Sequence, residues 1–173
     1  MTRFVALLRG INVGGVRIKM ADLGALFTDL GFDNVRTVLA SGNVLFDADG
    51  TAPDLKARIE RALSDTFAYD AYVFVHPQSY LAAVVDAYPF DENIDGRHAY
   101  AVFVADDSVL DELAGIGATL DPAVEQIAVG DGVVYWEVVK GETIGSAFGK
   151  KVGASRFKTV TTNRNLRTVR KLL

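Results

Sequence analysis

Phe4-Val5-Ala6-Leu7-Leu8-Arg9-Gly10-Ile11-Asn12-Val13-Gly14-Gly15 begins as an apolar run and stops at an Arg-Gly pair. Consecutive apolar residues without polar alternation predict a central strand buried on both faces. The glycines that follow permit positive φ or close backbone approach. A basic segment, Arg17-Ile18-Lys19, comes next. Consecutive N–H groups in a glycine-rich turn can form a concavity for an anion, and a guanidinium such as Arg9 can clamp an oxyanion in bidentate fashion. The alternative is a loop shaped by glycine alone, with Arg9 paired to an acidic neighbour.

Working outward, Met20, Leu23, Leu26, Phe27 and Leu30 recur at spacings of three and four, and Gly31 follows. That pattern predicts an amphipathic helix ended by glycine at C′. Strands are predicted over Val35–Ala40 and Val44–Phe46, joined through Ser41-Gly42-Asn43. Thr51 with Asp54 resembles a capping box before the stripe Leu55, Ile59, Leu63 and Phe67. Tyr72–Val75 completes β-α-β-β-α-β, the order of a ferredoxin-like unit. A connecting helix is predicted through Tyr80, Leu81, Val84 and Val85, ending before Pro89.

The pattern then restarts. Ala99–Val104 reads as a strand, and Ser108 with Asp111 as the start of a helix carrying Leu110, Leu113 and Ile116. Gln126–Val129 and Val133–Val138 read as a hairpin across Gly130-Asp131-Gly132. A helix over Ile144–Val152 is weakened by Gly145 and Gly149. A short strand is expected at Thr159–Thr161. A final helix should bury Leu166, Val169, Leu172 and Leu173, with Thr162 or Asn163 as its N-cap. The expected fold is α+β: two ferredoxin-like halves with antiparallel sheets, residues 1–77 and 78–173, and a C-terminal helix.

The composition suits a globular protein: 173 residues, half of them hydrophobic and 23% charged. No apolar run approaches the roughly 18 residues of a spanning helix, and Met1–Phe4 opens no signal-peptide pattern. With no cysteine, thiolate chemistry and disulfides are excluded. A cytoplasmic protein without membrane partners is expected. Net charge is −4, but unevenly spread. Lys150–Leu173 holds eight basic residues and no acidic one, leaving a net of −12 on the rest. This basic segment either packs on its own acidic body or presents an anion-binding face.

Familiar reaction motifs are absent. His76 and His98 fit no zinc spacing, and no metal site is expected. Gly145–Lys151 misses the phosphate-loop spacing, Gly10-x-x-x-Gly14-Gly15 is not a dinucleotide fingerprint, and there is no nucleophile elbow. Asp91-Glu92 and Asp106-Asp107 read as caps and solvated charges. Thr161-Thr162-Asn163-Arg164-Asn165 gathers hydroxyls, amides and a guanidinium at the expected helix start, where anions are favoured.

Arg9–Gly15, Lys19-Met20, Ala40–Val44 and Asn163–Thr168 together resemble the bacterial domain of unknown function 1697 family. Leu166 stands where that family more often has an aromatic residue, which removes stacking there. The resemblance implies two ferredoxin-like halves and brings no activity, cofactor or catalytic residue. The expected site is therefore a ligand site: Arg9, Gly10, Asn12, Gly14, Gly15 and Lys19 of the loop, Ser41 and Asn43 of the turn, and Thr162, Arg164 and Asn165. An anionic small molecule, a nucleotide or phosphorylated metabolite, is the expected occupant. Nucleic-acid binding is the rival; the acidic balance and the lack of an aromatic RNA-binding strand weigh against it. A dimerisation module is the third reading.

Overall fold

The computed structural model describes residues 1–13 and 15–173, so the expected site residue Gly14 lies outside the described residues. The chain divides into two compact units, Met1–Leu81 with Lys171–Leu173, and Ala82–Arg170.

The first unit runs β1 (Thr2–Leu8), α1 (Met20–Asp29), β2 (Asp33–Val38), β3 (Asn43–Ala48), α2 (Ala52–Phe67) and β4 (Val73–Pro77). Its sheet has the order β2-β3-β1-β4, all antiparallel, with β1 inside. Phe4, Ala6 and Leu8 of β1 share a core with Val44 and Phe46 of β3, Leu23 and Phe27 of α1, and Leu55 and Ile59 of α2. Both helices therefore cover one face. The alternate residues Val5, Leu7 and Leu45 are fully buried as well. Burial on both faces is the physical reason that β1 reads as an unbroken apolar run. Pro77, which lacks a donor, stands on an edge strand, where none is required.

Capping follows local chemistry. The Thr51 hydroxyl oxygen accepts from Asp54 N at 3.3 Å and donates to the Asp54 carboxylate at 2.7 Å. Gly31 takes φ +82° after α1, as its C′ position requires. The register of β2 slips between Asp33 and Arg36, so this strand starts earlier than expected and ends at Val38. Asn34, at φ 48°, sits in that bulge. Arg3 donates to Asn34 O at 2.8 Å and to Asp47 at 3.0 Å, and Asn34 Nδ2 donates to Asp47 at 2.7 Å, fixing the irregularity.

The chain continues through α3 (Gln78–Asp86) into β5 (Arg97–Val104), α4 (Asp107–Ala114), β6 (Glu125–Val129), β7 (Val133–Val139), α5 (Ala147–Val152), β8 (Thr161–Asn165) and α6 (Leu166–Arg170). Short 3₁₀ turns occupy Gly117–Thr119 and Ser155–Phe157. The second sheet, β6-β7-β5-β8, repeats the first plan. Val102, Val134 and Trp136 pack with Leu110 and Leu113 of α4 and Phe148 of α5 on one face. Glu125, almost fully buried, accepts from Trp136 Nε1 and from Phe148 N, both at 3.0 Å, tying α5 to the sheet.

Three local expectations are corrected. Asp106, not Ser108, caps α4: its carboxylate accepts from Val109 N at 3.0 Å and from the Ser108 hydroxyl at 2.6 Å. A carboxylate is the stronger acceptor and also complements the helix dipole. The Ile144–Val152 helix is confined to Ala147–Val152, with Ser146 accepting from Gly149 N at 3.1 Å. Gly149 is needed there because a Cβ would lie 2.0 Å from Thr143 O. Finally, Thr162 and Asn163 cap no helix. The last strand lies at Thr161–Asn165, further along than Thr159–Thr161, paired to β5 with Phe103 opposite Thr162 and Ala101 opposite Arg164. The helix begins at Leu166, where Asn165 Oδ1 accepts from Arg167 N at 3.0 Å. Pairing along the side of β5 not taken by β7 outweighs the local capping preference of these residues.

Candidate functional site

The loop is built where β1 leaves the sheet. Leu8 N donates to Gly42 O at 2.8 Å and Arg9 N to Tyr72 O at 3.0 Å, so the loop leaves from a fixed point. Gly10 at φ 71° and Asn12 at φ 56° then turn the chain. Ile11 is buried and packs against Gly42, whose missing Cβ would lie 2.7 Å from Ile11 Cδ1.

Asn12 closes the loop. Its Nδ2 donates to Ile18 O at 3.1 Å and to Ala40 O at 2.8 Å, and its Oδ1 accepts from Ile18 N at 3.0 Å. Its backbone N donates to Val16 O at 2.7 Å. The loop and the β2–β3 connection are thereby brought together. Asn43 is fully buried, and its Nδ2 donates to Val38 O at 2.7 Å and to Ser41 Oγ at 3.0 Å. Asn12 and Asn43 thus use their carboxamides to shape this region, and the charges that line it come from elsewhere.

Those charges are Arg17 and Lys19. Both are exposed and line a cavity of about 420 Å³ with Asn12, Ile18, Asp22 and Phe67. Among the described residues neither side chain has an acidic partner within ion-pair distance. Lys19 is also the N-cap residue of α1 and gives no side-chain cap, so the first-turn N–H groups find no acceptor at the cap position. A second cavity of about 410 Å³ shares Asp22 and Phe67 and extends along Leu26 of α1, Leu30 just after it and Ala62 of α2. A cationic rim therefore adjoins a wall that is apolar apart from Asp22, Asp29 and Thr66.

Arg9 is half-buried, its Nε is buried without a hydrogen-bond partner, and burial lowers the pKa of its guanidinium. Among the described residues Arg9 has no acidic partner within ion-pair distance. A buried donor left unsatisfied costs about 1–3 kcal/mol. Gly15 is exposed, and a Cβ added there would meet nothing within 4 Å.

Thr162, Arg164 and Asn165 belong to the second unit, on β8. Arg164 is 7% exposed, and its Nη1 donates to the Thr162 hydroxyl at 2.7 Å and to Asn163 O at 2.9 Å. Sequence reasoning missed Asp22 and Phe67. Phe67 reads in sequence as part of the buried stripe of α2, and only the packing of α2 beside the loop sets it in one wall with Asp22. Arg17 carried a signal, since it stands two residues from Lys19. Among the described residues no three His, Asp or Glu group to hold a metal ion, and no helix is long and apolar enough to cross a membrane.

Two four-stranded antiparallel sheets, each in ferredoxin-like order and each covered by its own helices, define an α+β protein with a duplicated plan. Residues 1–135 match the family described as "Protein of unknown function (DUF1697)", and the chain belongs to that family. The Asn163–Thr168 motif lies beyond the matched residues. Among solved structures, the chain is similar to the conserved bacterial protein SP0830 from Streptococcus pneumoniae, with a TM-score of 0.80 and 23% identity over 99% of this chain and 96% of that one. That likeness is one of fold. No curated protein matches the chain.

Proposed function

We propose that this protein binds an anionic small molecule, a nucleotide or a phosphorylated metabolite, at the Arg9–Lys19 loop. The observation that carries this reading is the pair Arg17 and Lys19, two cations that have no acidic partner among the described residues and stand on the wall of one cavity of about 420 Å³. That volume falls in the range of roughly 300–1,000 Å³ typical of small-ligand sites. The start of α1, without a side-chain cap, adds favourable N–H dipoles. Asp22 supplies an acceptor for a hydroxyl or amine of the ligand, and Phe67 supplies an aromatic surface against which a base or carbon skeleton can pack. Arg9 belongs to the same loop but does not line this cavity, and its Nε is buried.

A thermal-shift screen with nucleotides and phosphorylated metabolites tests the reading. A ligand present at about 100 times its dissociation constant stabilises the native state by about 2.7 kcal/mol. For any hit, Arg17→Ala and Lys19→Ala should each weaken binding by about 1.5–3 kcal/mol, the worth of one charge-assisted hydrogen bond. Both residues are exposed, so the variants should melt like the parent. A hit whose affinity survives both substitutions binds elsewhere, and the loop is then only a structural turn.

A further inference from the structure

The second unit holds a cavity of about 280 Å³ that the loop reading does not use. Four separate segments meet around it: Glu92 in the loop before β5, Arg97 and His98 at the start of β5, Lys140 just after β7, and Asn165, Arg167 and Thr168 at the β8–α6 junction. Two of its charged groups are already neutralised. Arg97 pairs with Glu137 at 3.0 Å and donates to Ala123 O at 2.8 Å. Glu92, on the same wall, accepts from Arg170 Nε at 3.1 Å.

What remains is cationic and donor-rich. Among the described residues, Lys140 and Arg167 have no acidic partner, and Asn165 Nδ2 and the Thr168 hydroxyl have no hydrogen-bond partner. We propose that this cavity is a second anion site, one that takes a phosphate group. The residue types divide the work by chemistry. A guanidinium presents a planar fork to two oxygens and an ammonium adds a compact charge. An amide N–H and a hydroxyl give direction without adding charge. The volume lies just below that of pockets for drug-sized ligands, roughly 300–1,000 Å³, so the occupant is a phosphate with at most a small carbon body. This inference does not depend on the loop reading: it uses other residues in the other unit.

The test is a titration of the full chain with inorganic phosphate at constant ionic strength, followed by ¹H–¹⁵N correlation spectra. The expected result is saturable shifts of the Asn165 side-chain amide and of the backbone amides of Arg167, Thr168 and Lys140. Arg167→Ala and Lys140→Ala should each raise the dissociation constant at least about tenfold, as loss of one charge-assisted contact implies. Arg167→Lys, which keeps charge but loses the fork, should fall between. Lys19→Ala should leave these shifts unchanged. Shifts that do not saturate, that persist with equal affinity in both alanine variants, or that vanish with Lys19→Ala would overturn the proposal. Because Lys140 and Arg167 are exposed, parent-like spectra elsewhere will show that the variants are folded.

Discussion

Gly42 and Gly24 are the same residue type in opposite situations. Gly42 has φ +85°, and an added Cβ would lie 2.7 Å from Ile11 Cδ1 and 2.9 Å from Leu8 Cβ. Left-handed backbone costs a non-glycine residue about 1–2 kcal/mol, and forcing a methyl into a filled space adds about 1–3 kcal/mol. Gly42→Ala should therefore destabilise the protein by roughly 2–5 kcal/mol in urea unfolding. Gly24 lies inside α1, where an added Cβ would meet Thr37 Cγ2 at an ordinary 3.7 Å. Gly24→Ala should stabilise by about 0.5–1 kcal/mol, from helix propensity alone. Equal effects from the two variants would refute this account of the loop's anchorage. The glycines of the loop were legible as conformational devices; that Gly42 faces Ile11 across the β2–β3 connection was not, since that distance is set by tertiary packing.

At the scale of an element, the β8–α6 segment shows where local preference loses. Thr161–Asn165 carries the residue types of a helix start, yet it forms a strand because β5 offers an unpaired row of backbone groups. The stripe that follows was readable in part: Leu166, Val169 and Leu172 are fully buried and Arg167 and Lys171 exposed, but the helix stops at Arg170 and Leu173, expected in the core, is half exposed. Leu166→Ala should cost about 2–5 kcal/mol through lost transfer energy and a residual cavity. Lys171→Ala should stay within about 0.5 kcal/mol. Similar losses from both in chemical denaturation would mean that the buried and exposed positions of α6 and the residues just after it are misassigned.

For the whole molecule, stability should have a broad plateau bounded by identifiable groups. Asp47 titrates below the usual carboxylate range because of hydrogen bonds from Asn34 and Arg3, and Asp106 because of the Ser108 hydroxyl and Val109 N. A depressed pKa contributes stability above the unfolded value, lost as pH falls through the folded value. Burial pushes the hydroxyl of Tyr69 up to about 12 and raises those of Tyr88 and Tyr135. A neutral group held protonated contributes below its unfolded value, near about 10, and is lost as pH rises through its folded one. Thermal melts should therefore weaken below about pH 4 and above about pH 10. Asp47→Asn and Asp106→Asn should flatten the acid limb, and an unchanged acid limb in both would show that other carboxylates set it.

Element order, the alternation of strand and helix in two rounds, and the doubly buried character of β1 were fixed locally, because hydrophobic period and turn residues act within a few positions along the chain. So were the cap at Thr51 and the Gly130–Gly132 hairpin. The identity of the candidate sites was decided only in three dimensions. The carboxamides of Asn12 and Asn43, donor groups of a candidate ligand site in sequence, make hydrogen bonds that hold the loop and the turn. Arg17 and Lys19 become a cavity wall because α2 brings Phe67 beside them, and Lys140 and Arg167 share one because β5 pairs with both β7 and β8. A side chain's type is local information. Whether its hydrogen bonds and charge are already satisfied depends on neighbours distant in the chain, and that remainder is what makes a binding site.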